Sequence, residues 1–97
     1  MTRDAALRLL KENLKDIMIF GVKSIGIFGS ISRNEADEHS DLDILVEYET
    51  GRLNLDTYMD LKYYLEKLFK RRVDLVTKSS MKEYSKDKIL KEVVYAA

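Results

Sequence analysis

Ninety-seven residues predict a small α/β or α+β domain in which helices pack on a mixed β-sheet of three or four strands. Three observations lead there. Apolar residues recur at helical spacing in separated segments, short Val- and Ile-rich runs of period two lie between them, and glycine or polar clusters divide the two kinds.

Leu7, Leu10, Leu14, Ile17 and Met18 predict one amphipathic helix over 3–20, stopped by Gly21. Val22 to Phe28 reads as a strand. Gly29 and Ser30 end it and open a short turn or helix through about Ala36, and the polar run Asp37 to Ser40 leads into a second strand, Asp41 to Tyr48. There Leu42, Ile44, Val46 and Tyr48 share one face, and Asp41, Asp43 and Leu45 the other. Gly51 marks a loop. Asn54 is the expected N-cap of a long helix defined by Leu55, Tyr58, Met59, Leu65, Leu68 and Phe69. Arg72 to Thr77 gives a third strand. Ser80 and Glu83 have capping-box spacing and predict a last helix whose Ile89, Leu90, Val93 and Val94 face the core.

The expected organisation is a single domain, 1–97, without a linker. An apolar fraction of 45% beside 35% charged residues suits a globular chain and disfavours disorder. No segment approaches the roughly 20 apolar residues of a membrane span, and the charged N-terminus lacks a signal peptide's apolar run; a cytoplasmic location is expected. The absence of cysteine removes disulfides, thiolate nucleophiles and zinc–cysteine sites. The formal net charge of zero argues against holding nucleic acid by bulk electrostatics. Lys70, Arg71 and Arg72, the densest basic run, read as a solvated helix end complementing the dipole. Tyrosines such as Tyr63, Tyr64 and Tyr84 read as core and rim residues, and His39 as a solvated loop histidine.

Chemistry concentrates between residues 29 and 46. Alternate residues of a strand share a face, so Asp41 and Asp43 aim two carboxylates at one point. At about 4 Å and an effective dielectric of about 20, their repulsion is on the order of 4 kcal/mol. A divalent cation would offset it. Asp74 lies inside the apolar run of the third strand and is costly to bury unpaired. If that strand lies beside the second, three carboxylates meet, a donor set that suits magnesium or manganese with room left for phosphate oxygens; otherwise Asp74 forms a structural ion pair. A calcium loop does not fit, because Ile44, Leu45 and Val46 follow the acidic pair. The Gly29–Ser30 step supplies free backbone amides and a hydroxyl suited to phosphate, without the lysine of a Walker loop. Phosphate donors beside metal ligands imply a nucleoside triphosphate with magnesium.

Gly29-Ser30, Arg33, Ser40-Asp41, Asp43 and Val46 follow the pattern G-S-x-x-R-x6-S-D-x-D-x-x-V. With Asp74 in the third strand, the chain resembles a minimal nucleotidyltransferase (MNT) of the DNA polymerase beta superfamily over about residues 20 to 95. The resemblance implies transfer of a nucleotidyl group from ATP or another nucleoside triphosphate, with pyrophosphate leaving. Asp41, Asp43 and Asp74 would be catalytic and would ligate one or two magnesium ions, for which manganese could substitute. Gly29 and Ser30 would cradle phosphates, assisted by Ser40. Arg33 would either contact phosphate or lock the loop by pairing with an acid such as Asp37 or Glu38.

Members of this type occur beside helical HEPN toxins and act as antitoxins, some by adding AMP to a toxin tyrosine. The implied partner is therefore a HEPN protein. The alternative is a non-catalytic antitoxin that neutralises by contact; a transferase for a small molecule or RNA end is disfavoured by neutral charge and the short chain. Self-association is left open. Many members have Ala and Gly where this chain has Ser32 and Asn34, and several have a basic residue near the position of Asp37.

Overall fold

The computed structural model describes the backbone of residues 1–97 and every side chain except that of Tyr84, so the expectation for that tyrosine lies outside the described residues. Residues 3–20, predicted as one helix, form two: α1 (Arg3–Glu12) and α2 (Leu14–Ile19). Asn13 makes the break. Its side-chain amide donates to the Leu9 carbonyl at 2.8 Å and its backbone N–H to Leu10 at 3.1 Å, which tightens the last turn of α1. Ala6, Leu10 and Ile17 still reach the core from both pieces. The Thr2 hydroxyl accepts the Ala5 N–H at 3.1 Å to cap α1.

Four strands form one sheet in the order β3-β2-β1-β4, with β1 at Val22–Phe28, β2 at Leu42–Tyr48, β3 at Val73–Thr77 and β4 at Val94–Tyr95. β1 runs antiparallel to both β2 and β4, while β2 and β3 are parallel. A parallel neighbour requires a crossover, supplied by α4 (Leu55–Phe69). The mixed sheet is the expected architecture. Ile25 and Ile27 of β1 stand opposite Val46 and Ile44, and Leu42 and Ile44 pair in turn with Val73 and Leu75. These side chains and Ile31, Leu61, Leu65 and Phe69 form the buried core with α1 and α2. Tyr64 packs its ring on Phe20 with centroids 5.4 Å apart, whereas Tyr63 is exposed.

The predicted cap of α4 forms, reinforced by Thr57. The Asn54 side chain accepts the Thr57 N–H, and the Thr57 hydroxyl accepts the Asn54 N–H, both at 2.9 Å. Asn54→Ala is expected to cost about 1 kcal/mol, read as a lower midpoint in urea with an unchanged slope. Two α4 side chains also cover the outer edge of β3. The Tyr58 hydroxyl donates to the Leu75 carbonyl at 2.6 Å, and Glu66 accepts the Val73 N–H at 3.1 Å.

The C-terminal segment departs from expectation in two ways. Ser80 donates to the Thr77 carbonyl at 3.0 Å and accepts from its hydroxyl at 2.7 Å, closing a 3₁₀ turn over Lys78–Ser80. It is therefore not a capping-box residue; α5 (Glu83–Glu92) begins after Lys82. Val94 then leaves the helix and pairs with Ile27 as β4, with Tyr95 opposite Gly26. Helical spacing over 89–94 loses to β-branched residues beside an open edge of β1, and Leu90 points outward with 36% exposure. Gly26 permits the docking, since a Cβ there would come within 2.8 Å of both Val93 Cγ2 and the Val94 carbonyl oxygen. This turn fixes the end of α5, and with it Glu92, near the end of β1 where Gly29 lies.

Candidate nucleotide-binding active site

β1 ends at Phe28, directly opposite Asp43 of β2. The next residue, Gly29, turns the chain at φ +73°, and a Cβ on it would lie 2.1 Å from Asp43 Oδ2. Only glycine lets the backbone pass so close to that carboxylate in that conformation. The chain then makes a single helical turn, α3 (Gly29–Ser32), held by the Ser32 hydroxyl donating to the Gly29 carbonyl at 2.7 Å. Ser32 is a buried strut of this turn. Asn34 adopts left-handed φ of 57°, a conformation asparagine tolerates where glycine is otherwise favoured, and its side-chain oxygen accepts the Arg3 N–H at 2.8 Å.

On the sheet, Asp43 and Asp74 are register partners on adjacent parallel strands. Asp43 is partly buried and Asp74 exposed at the edge, while Asp41, just before β2, is exposed. Burial pushes the Asp43 carboxyl up to about 6, helped by the charges of Asp74 and Asp41, a hydrogen bond to Asp74 and the charge of Glu92. Folded Asp43 thus holds its proton more tightly than the unfolded chain does. The proton's contribution to stability is full below the ordinary carboxylate range and lost as pH rises through about 6. Above that, the charge opposes folding. Discounted for partial solvent screening, Asp43→Asn should stabilise the metal-free fold at pH 8 by about 1 kcal/mol, raising Tm by about 4–8 °C and by little at pH 4.

Ser40 and Asp37 belong to one loop. The Ser40 hydroxyl accepts the Asp37 N–H at 3.1 Å and donates to Asp37 Oδ1 at 3.2 Å, and the same carboxylate accepts the His39 N–H at 2.8 Å. Arg71 donates to the Ser40 carbonyl at 3.1 Å. Asp37 therefore spends its carboxylate on the loop that delivers Asp41, and His39 is exposed beside Glu38. Arg33 pairs with neither Asp37 nor Glu38. Its Nε donates to Glu35 at 3.1 Å and its Nη1 to Glu92 Oε1, while Glu92 Oε2 accepts the Gly29 N–H at 3.2 Å. Glu92 was invisible to sequence reasoning because 59 residues separate it from Arg33.

Asp43 and Asp74 are the two carboxylates the sheet brings together for a hard divalent cation, and the expected cluster of three with Asp41 is not formed among the described residues. Asp43 and Asp74 are adjacent carboxylates with the charge of Asp41 felt at Asp43, and the excess negative charge that raises the Asp43 pKa is what a cation relieves. Among the described residues no group of three or more acidic, histidine or cysteine side chains forms a ready-made metal cage. Magnesium requires none, since it binds through one or two carboxylates and completes its shell with water and phosphate oxygens. A separate hollow of about 390 Å³ at the far end of β2, lined by residues such as Tyr48, Leu53, Thr77 and Lys78, includes none of these aspartates. No helix among the described residues is long and apolar enough to cross a membrane.

Comparison with known proteins agrees with this geometry. Residues 7–96 match the nucleotidyltransferase domain family. The protein adenylyltransferase MntA of Thermococcus cleftensis is 51% identical over 76 residues, 78% of this chain and 76% of the relative. A solved minimal nucleotidyltransferase structure superposes with a TM-score of 0.80 at 35% identity, covering 97% of this chain and 95% of that one. A chain from the complex of tri-AMPylated HEPN toxin with MNT antitoxin of Shewanella oneidensis shares the fold, with a TM-score of 0.66 at 19% identity over 94% of this chain and 71% of that one.

Proposed function

The chain belongs to the nucleotidyltransferase domain family, and from that premise we propose that it transfers AMP from ATP to a tyrosine hydroxyl of a HEPN-type toxin and so acts as an antitoxin. The observation that carries this reading is the close approach of Gly29 to Asp43, with Asp74 in register beside it. A turn carrying the Gly29 amide, here donated to Glu92, and an acidic pair are thereby packed into one small volume. The adenylyltransferase relative supports the choice of AMP, and the shared fold of the toxin–antitoxin chain supports the choice of partner.

In this reading the acceptor oxygen bonds to the α-phosphorus, the bond from that phosphorus to the bridging oxygen breaks, and pyrophosphate leaves with the bonding pair. Gly29, Ser30 and Arg33 hold the outgoing phosphates. Asp41, Asp43 and Asp74 would hold magnesium, which when bound would supply charge neutralisation for the attacking and leaving oxygens. Asp74, exposed on the edge strand, helps remove the hydroxyl proton. Ser40 keeps the loop before Asp41 in place. The test incubates the chain with its helical partner, magnesium and each α-labelled triphosphate, and maps the adduct by mass spectrometry. A mass increase of one AMP on a partner tyrosine is expected. An unmodified partner that is nonetheless neutralised would replace transfer with inhibition by contact.

A further inference from the structure

Glu92 is an acid only 18% exposed, and it accepts from two of the donors that the nucleotide reading assigns to phosphate, the Gly29 N–H and the Arg33 guanidinium. Its two oxygens take one donor each. A phosphoryl group presents the same kind of anionic oxygen pair to such donors. We propose that Glu92 is a built-in competitor that occupies the triphosphate's seat and must swing out before nucleotide binds. The inference rests on the nucleotide-binding reading of the site and adds to it an autoinhibited resting state.

Three features distinguish this arrangement from an ordinary ion pair. Arg33 has a second acid, Glu35, on its Nε, so its guanidinium stays oriented when Glu92 departs. Glu92 also adds negative charge beside Asp43, where the acidic pair already repels, so leaving relieves the site as well as freeing the donors. Finally, Glu92 is the last residue of α5, and the chain beyond it is pinned by pairing of Val94 and Tyr95 with β1. Release is therefore a side-chain rotation with the helix in place.

A seat closed in about nine molecules of ten weakens apparent affinity about tenfold. Isothermal titration with magnesium-ATP and with magnesium tripolyphosphate reads this directly. Glu92→Gln and Glu92→Ala should tighten both ligands about tenfold, with thermal melts confirming that each variant folds. Glu38→Gln, at an exposed acid that does not touch Arg33, makes the same charge change without vacating the seat, and should shift affinity by less than about twofold. Equal tightening in the Glu38 and Glu92 variants would reduce the effect to bulk charge and overturn the proposal, as would unchanged or weaker binding in both Glu92 variants. If wild type binds and Asp43→Ala abolishes binding while the Glu92 variants do nothing, only the competitor role falls. If no protein in the set binds either ligand, the nucleotide reading falls with it.

Discussion

Asp41→Ala and Asp43→Ala are expected to lower the proposed transfer from α-labelled ATP by about 10²–10³-fold, while leaving binding of the proposed toxin partner intact. The size follows from the charge that must be handled. In the proposed reaction departing pyrophosphate would gather negative charge at a site where Asp43 already has its carboxyl raised to about 6 by burial and neighbouring acids, and a cation held by these carboxylates would let that charge accumulate. Removing Asp43 also takes away the group against which Gly29 packs, whereas Asp41 is exposed and outside the strand. The Asp41 variant is therefore the cleaner reading of catalysis. Its melting temperature should stay within about 4 °C of wild type, because exposed substitutions away from packing features change stability by less than about 0.5 kcal/mol. Full transfer by a folded Asp41→Ala protein would remove that carboxylate from the mechanism. Neutralisation of the partner by both variants, without any adduct, would favour the contact-only antitoxin.

Strands β1, β2 and β3 were legible because the core face of the sheet demands apolar residues at alternate positions: Leu42, Ile44 and Val46 cannot exchange faces with Asp43 without burying a charge, although Leu45 on the Asp43 face is also buried. The pairing of Asp43 with Asp74 followed from the same alternation once β3 was placed beside β2. What escaped depends on contacts distant in sequence or on local hydrogen bonds that compete with a periodic pattern. Asn13 breaks a helix that apolar spacing alone would continue, because its side chain can satisfy the Leu9 carbonyl. Val94 becomes a strand because β1 offers an edge 67 positions earlier, at Ile27. Glu92 looks in sequence like one more solvated acid on an amphipathic helix, and acquires its role only when β4 docks and brings the end of α5 to Gly29. Arg33 shows both sides of this. Its pairing with an acid was legible, and Glu35 lay close by, but the acid that meets Gly29 as well was not.

Gly29→Ala is expected to be the most damaging single-methyl change in the chain, destabilising the fold by about 2–4 kcal/mol and removing nucleotide binding. Two costs combine. At φ +73° a Cβ is strained whatever surrounds it, which alone costs about 1–3 kcal/mol. The added carbon would also lie 2.1 Å from Asp43 Oδ2 and 2.9 Å from its Cγ. Relief requires Asp43 to rotate away from Asp74 or the Gly29 turn to move away from β2. Each escape separates the phosphate donors from the acidic pair, so stability and function fall together. At about 4–8 °C per kcal/mol for a domain of this size, the melting temperature should drop by 10 °C or more. Asp43→Ala placed in the same background separates the two costs: with the carboxylate gone, the clash vanishes and only the φ strain remains. The double variant should therefore recover part of the lost stability while staying inactive in transfer. Additive losses in the double variant would mean that Gly29 is required for backbone conformation alone, and that its closeness to Asp43 does not set the geometry of the site.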